Sequence, residues 1–205
     1  LFNPLPMPEA LTIKTESLEP LFTAWEEPVK HRVRAESGTG AEERQGRRPS
    51  SIAIAQILRA EVKMWRDAFY PGASETTRYL LNHWFGRAHN VGGNEFRYYV
   101  CQREAVETLG YLKEVRGVDC LSQLWDAFGS AEQQRLAEGI EPGEDAWSRY
   151  AFKMATGSGK TKVMSLAIVW SYFHALRESD SPMARHFVVI APNLTVFERL
   201  KEDFK

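Results

Sequence analysis

Tyr150-Ala151-Phe152-Lys153-Met154-Ala155-Thr156-Gly157-Ser158-Gly159-Lys160-Thr161 carries the fold class of this chain. A short strand-like run leads without a spacer into a glycine-rich turn. The turn opens directly into a helical pattern over residues 160–176. Val163, Met164, Leu166, Ile168, Val169, Trp170 and Phe173 go almost all the way round that helix, which predicts a buried rather than a surface-lying one. Residues 179–182 form a turn, and Phe187-Val188-Val189-Ile190 is a continuous apolar run. Strands buried on both faces of a parallel sheet read this way. Strand, glycine loop, helix and strand make a βαβ unit with a right-handed crossover, and residues 194–204 open a further helix. The expected fold is therefore α/β.

Polyphosphate binding needs backbone N–H groups converging on an anion, a path free of Cβ atoms, and a cation within reach of the terminal phosphates. Gly157 and Gly159 permit the tight turn, and the start of the next helix adds N–H donors and its dipole. Lys160 suits the β- and γ-phosphates, and the Thr161 hydroxyl suits Mg²⁺. Thr156 and Ser158 complete the loop. The general pattern has glycine at its first position, where this chain has Met154. A plain strand-to-helix turn with a solvent lysine does not account for two glycines and Lys-Thr together.

The part ahead of this unit has a different rhythm. Up to residue 33, Pro4, Pro6, Pro8, Pro20 and Pro28 recur too often for long helices. Residues 34–50 are rich in Gly, Glu and Arg without an apolar period, which reads as a mobile linker. Ile54, Leu58, Val62, Trp65 and Phe69 then recur at helical spacing, and Pro71-Gly72 stops that helix. Ser74 is the expected N-cap of a second helix carrying Leu80, Leu81, Trp84 and Phe85, aromatics better explained by packing than by base stacking. A turn at 90–94 precedes a helix over 100–115. A further helix over 119–138 presents Leu121, Leu124, Trp125 and Phe128, and Glu141-Pro142-Gly143-Glu144 closes an insertion spanning 117–148.

Composition excludes several classes. The 205 residues are 43% hydrophobic and 26% charged with a net charge of −1, as in an ordinary globular protein. Charge does not mark the whole surface as a nucleic-acid glove. Cys101 and Cys120 sit in no Cys-x-x-Cys pair, and the five histidines form no metal motif; His83 and His89 are expected to be ordinary packing or surface residues. No signal peptide is visible and no apolar run is long enough to span a bilayer, so the expected location is cytoplasmic, with no membrane partner. The sequence starts on Leu1 and stops at Lys205 inside a helical stretch, which predicts a piece of a larger protein.

The segment from Met154 to Thr161 resembles motif I of superfamily-2 helicases and translocases. It is most similar to the form in the ATPase (Res) subunits of type III restriction enzymes, where the first position is commonly not glycine. Tyr99-Val100-Cys101-Gln102-Arg103-Glu104-Ala105 is similar to that family's Q motif, and Val188-Val189-Ile190-Ala191-Pro192-Asn193-Leu194-Thr195 resembles its motif Ia. The resemblance runs from about residue 95 to 205; the helices with Trp65-Arg66 and His83-Trp84-Phe85 look, less specifically, like the family's N-terminal extension. It implies a RecA-like three-layer α/β/α sheet domain over 95–205, preceded by an irregular segment and linker over 1–50 and a helical extension over 51–94. It further implies ATP and Mg²⁺ as cofactors. Gln102 would read adenine, and a glutamine amide suits that edge. Thr156, Gly157, Ser158, Gly159, Lys160 and Thr161 would hold the phosphates, with Lys160 and Thr161 catalytic and Thr161 on Mg²⁺. Pro192, Asn193 and Thr195 would meet nucleic acid, Thr195 also fitting an N-cap. Implied partners are double-stranded DNA and a DNA-modification methyltransferase subunit, and a nuclease activity would accompany the motor.

A hydrolysing motor also needs an acidic pair after a hydrophobic strand and an arginine from a second motor domain. Ile190 is followed by Ala191-Pro192-Asn193, and Glu202-Asp203 falls in a helix. The expectation is nucleotide binding without turnover by this stretch alone; steady hydrolysis abolished by Lys160→Ala would contradict it. The alternatives are a DNA or RNA helicase without a restriction role, and a P-loop kinase or nucleotide-switch module. Gln102→Ala separates the kinase class, because only a Q motif would lose adenine selectivity.

Overall fold

The computed structural model describes residues 23–35, 40–139 and 147–203. The chain divides between Arg47 and Arg48 into two compact units. In the first, β1 (Lys30–Arg34) and β2 (Ala41–Gln45) pair antiparallel, with Arg32 opposite Glu43. Neither strand has an apolar face to bury. Charge sets the pairing instead: Lys30 and Arg32 reach the Glu43 carboxylate at 3.1 and 3.5 Å. The Lys30 hydrogen bond holds the Glu43 carboxyl below its usual range. The linker expected over 34–50 is thus partly a hairpin, whose alternation lies in charge rather than hydropathy.

The second unit is built on helices. In α1 (Ala53–Asp67), Ile54, Leu58, Val62 and Trp65 are buried on one stripe, as their spacing requires. Phe69 does not continue the stripe. The helix ends at Asp67, the chain turns through Phe69 and Tyr70 at φ of 63° and 58°, and Phe69 is 81% exposed. The Trp65 indole N–H closes this turn on the Pro71 carbonyl at 2.9 Å. Helix α2 (Glu75–Phe85) starts on Ser74, whose hydroxyl accepts the Thr77 N–H at 3.1 Å, and Leu80, Leu81 and Trp84 enter the core.

The turn at 90–94 is the tip of a second hairpin, β3 (His89–Val91) and β4 (Asn94–Phe96). Gly92 and Gly93 both have positive φ, the geometry of a two-residue turn between twisted strands. Helix α3 (Val100–Gly110) runs on into a π-helical turn, Tyr111–Val115. The single helix expected over 119–138 is two, α4 (Leu121–Phe128) and α5 (Ala131–Ala137), divided at Gly129-Ser130. Glu141-Pro142-Gly143-Glu144 lies outside the described residues.

Helix α6 (Lys160–Arg177) packs on α2 and α3, and α1 packs on α3. Val62, Leu81, Val106, Val163 and Trp170 meet at the centre. One charge is fully buried there. The Glu107 carboxylate accepts from Nε and Nη2 along one edge of the Arg66 guanidinium, from Arg103 at 2.7 Å and from the Tyr70 hydroxyl at 2.7 Å. Burial, reinforced by Glu107, pushes the Tyr70 phenol up to about 12. A buried carboxylate is tolerated only with this degree of pairing.

Two expectations fail in the last third. Residues 150–154 and 187–190 form no strand, and the two sheets among the described residues are the short hairpins. The structure is mixed α/β, with no RecA-like parallel sheet among the described residues. A strand's N–H and C=O groups need a neighbouring strand, and without one the apolar side chains face solvent: Val188 and Ile190 are 89% and 87% exposed. Helix α6 is likewise not buried all round. Val163, Leu166 and Trp170 are covered, while Tyr172, Phe173 and Leu176 are exposed on the side a sheet was expected to cover. The last helix, α7 (Leu194–Asp203), forms as expected, with residue 204 outside the described residues.

Candidate phosphate-binding site

The loop between residue 154 and α6 takes its shape from two glycines. Gly157 has φ 81°, and Gly159, the N-cap of α6, has φ 77° and ψ 44°. Both lie in the left-handed region that a Cβ disfavours. The Ser158 hydroxyl donates to the Ala155 carbonyl at 2.7 Å and closes the turn. Met154, at the position where the general pattern has glycine, is partly buried against the core. Its side chain roots the loop in the helical unit, which is a physical reason for the departure.

Lys160 opens α6 and stays exposed. Its ammonium bridges the Met154 and Ala155 carbonyls at 3.3 and 3.1 Å, across the loop. The N–H groups of Lys160 and Thr161 belong to the first turn of the helix and have no intrahelical acceptor. Thr161 sits at the second helical position and Thr156 is exposed in the loop.

Gln102 is brought against the loop from α3, 56 residues earlier. It is 4% exposed. Its amide oxygen accepts the Tyr99 N–H at 2.9 Å, capping α3, and its amide N–H₂ donates to the Ser158 carbonyl at 3.0 Å. The φ at residue 159 favours glycine, and a Cβ added there would lie 2.2 Å from that amide nitrogen, so the end of the Gln102 side chain would have to move aside. An amide has two donors and two acceptor lone pairs, so one of each is left for a further partner.

The other expected site residues stand apart from this cluster in chemistry. Pro192, Asn193 and Thr195 are all exposed at the start of α7. Asn193, not Thr195, caps that helix: its side-chain oxygen accepts the Val196 N–H at 3.0 Å. Among the described residues no group of three His, Cys, Asp or Glu side chains is placed to hold a metal ion, and no helix is long and apolar enough to cross a membrane.

A support for α6 is invisible in the sequence. The Trp170 indole N–H donates to the Thr77 hydroxyl at 2.8 Å, and Thr77 donates to Glu114 at 2.5 Å. Glu114 lies in the π-helical turn and also receives the Ser74 N–H, with the His174 imidazole 3.7 Å away. This chain of polar contacts ties the helix behind the phosphate loop to α2 and α3. The periodicity marks Trp170 as buried, but nothing in the sequence links it to Thr77, 93 residues before. At the far end of α6, the Glu178 carboxylate accepts the Thr76 N–H at 2.8 Å, and hydrogen bonding from Thr76, its side chain first and its N–H second, draws the Glu178 pKa down.

The site is thus a glycine loop that opens a helix and is crossed by that helix's first lysine. Comparison with protein families agrees: the family described as type III restriction enzyme, res subunit, matches residues 97–205, more than half of the sequence. The chain belongs to that family. No curated protein and no solved structure matches it.

Proposed function

We propose that this chain binds ATP with Mg²⁺ at Thr156, Gly157, Ser158, Gly159, Lys160 and Thr161, as the nucleotide-binding part of a DNA-dependent ATPase of the helicase or translocase type. The observation that carries the proposal is the loop: two left-handed glycines, an exposed lysine held only by neutral carbonyls, and unpaired N–H groups at a helix start. The fit is chemical as well as spatial. A phosphate oxygen is a stronger acceptor for the Lys160 ammonium than either carbonyl, so a nucleotide draws the lysine off the loop. Nothing lies within 4 Å of a Cβ built on Gly157, leaving room beside the backbone.

Gln102 keeps one donor and one acceptor for an adenine edge while tied to Ser158. In this arrangement base recognition bears directly on the shape of the phosphate loop. ATP bound with Mg²⁺ supplies the phosphoryl group whose hydrolysis drives movement; the chain's own part is to orient it through Lys160 and Thr161. The runs at 150–154 and 187–190 are the strands that a RecA-like sheet would use, and both flank α6 in sequence as such a sheet requires. Membership in the res-subunit family supports double-stranded DNA as the track and a methyltransferase subunit as the partner, with Pro192, Asn193 and Thr195 as backbone contacts.

The test is equilibrium binding of a fluorescent ATP analogue. Lys160→Ala is expected to weaken it by about tenfold or more, equivalent to ~1.4 kcal/mol. Undiminished affinity in that variant would overturn the proposal.

A further inference from the structure

Helix α6 opens with two lysines, and the phosphate loop engages only the first. Lys160 crosses the loop to the Met154 and Ala155 carbonyls. Lys162, two residues on, is exposed, and its ammonium has no hydrogen bond or ion pair among the described residues. The first turn of α6 contains no acidic residue. Cations placed there oppose the helix dipole, whose positive end lies at the N-terminus. Helix α2 shows the ordinary arrangement, with Glu75 in its first turn. The flanking sequence offers no compensation either. No Asp or Glu occurs from residue 146 to residue 177, a stretch that carries Arg149, Lys153, Lys160, Lys162 and Arg177. Lys162 therefore adds positive charge where a helix tolerates it least, unless an anion is bound.

Its position singles out one part of a nucleotide. The Lys162 N–H donates to the Gly159 carbonyl at 3.0 Å. Its Cβ lies 4.0 Å from a Cβ built on Gly159, the same point that comes within 2.2 Å of the Gln102 amide nitrogen. Lys162 thus rises on the Gln102 side of the loop, whereas Lys160 spans the limb at 154–155. Helical side chains lean toward the N-terminus, so the Lys162 stem leads back toward the loop. In the ATP-binding reading above, Gln102 marks the base end of the site and Lys160 the terminal phosphates. Between those two ends lies the phosphate joined to the ribose.

We propose that Lys162 binds the α-phosphate of the nucleotide, as a second affinity-determining cation indifferent to the presence of the γ-phosphate. The assignment rests on the ATP-binding reading and extends it along the whole ligand. Lys160 meets the β- and γ-phosphates, Lys162 the α-phosphate and Gln102 the base. Affinity supplied through Lys162 is therefore shared by ATP and ADP.

Isothermal titration calorimetry of the whole chain with ATP and with ADP, each with Mg²⁺, tests it. Lys162→Gln should weaken both nucleotides by the same factor, about fivefold or more, and Lys162→Arg should keep the parent affinities. Lys162→Gln should also leave the melting temperature of the unliganded chain unchanged or raised, because it removes charge that opposes the dipole. Parent affinity in Lys162→Gln, a loss for ATP without a loss for ADP, or an equal loss in Lys162→Arg would overturn the assignment. So would weaker binding accompanied by a lower melting temperature, which would make Lys162 a structural residue. These results leave the ATP-binding reading standing where Lys160→Ala still weakens ATP. Failure of the parent chain to bind ATP would overturn both.

Discussion

Helix α1 and the run at 187–190 carry equally strong apolar patterns, yet one is buried and the other is not. Val62 and Trp65 are covered to 0% and 5% exposure, whereas Val188 and Ile190 stand at 89% and 87%. The difference lies in backbone hydrogen bonding. A helix satisfies its own N–H and C=O groups and asks its neighbours only for side-chain contact. An extended segment must find another backbone before its side chains can be buried at all. Helices α1, α2, α3 and α6 therefore make a core with the turns between them and Phe128 of α4, while the strand-like runs have no partner strand among the described residues.

The largest blow to this contrast should come from Glu107→Gln. It leaves Arg66 and Arg103, both mostly buried, without their counter-charge, and a loss of roughly 3–5 kcal/mol is expected from urea unfolding. A loss under about 1 kcal/mol would mean that the helical core does not depend on this ion cluster.

Next in size is the pair of loop glycines. Gly159→Ala combines left-handed strain of about 1–2 kcal/mol with displacement of the Gln102 amide from Ser158, and should weaken ATP-analogue binding the more of the two. Gly157→Ala meets only the strain and should weaken binding less. Equal effects would show that the Gln102 contact does not shape the loop.

Glu178 gives a smaller, pH-dependent effect. Its folded pKa is lowered, chiefly by the Thr76 hydrogen bond. Its stabilisation is therefore full above the unfolded pKa and is lost as pH falls through the folded one. Melting temperatures followed into the acid range should fall less steeply in Glu178→Gln than in the parent. An unchanged acid limb would remove this link between α2 and α6.

Smallest of all should be Ile190→Ser. At 87% exposure it is expected to change stability by less than about 0.5 kcal/mol, whereas the same change at Val62 would be severe. A large loss at Ile190 would show that the 187–190 run is already covered in solution.

Much of the candidate site was legible in the sequence. The glycines, Lys160 and Thr161 form a local motif, and a local motif needs no knowledge of the rest of the chain. The tie between Gln102 and Ser158 was not legible. The resemblance singled out Gln102 for an adenine, but which backbone carbonyl its amide reaches depends on how α3 packs on α6. The same holds for Thr77, Glu114 and Trp170. Ser74 was a readable cap because its partner is three residues away; Asn193 displaced Thr195 because helix ends shift by a residue or two.

The sequence by itself determined where most helices lie, the Ser74 cap, the buried stripe of α1 from Ile54 to Trp65 and the glycine turn ahead of α6, since these rest on interactions within a few residues. It also determined the family, through the order of its motifs. Tertiary structure alone decided which apolar runs became buried and how α6 is anchored. It also decided where the two hairpins form, one held by cross-strand charge and the other by a glycine turn. Those outcomes depend on backbone and side-chain partners tens of residues away, which no local pattern encodes.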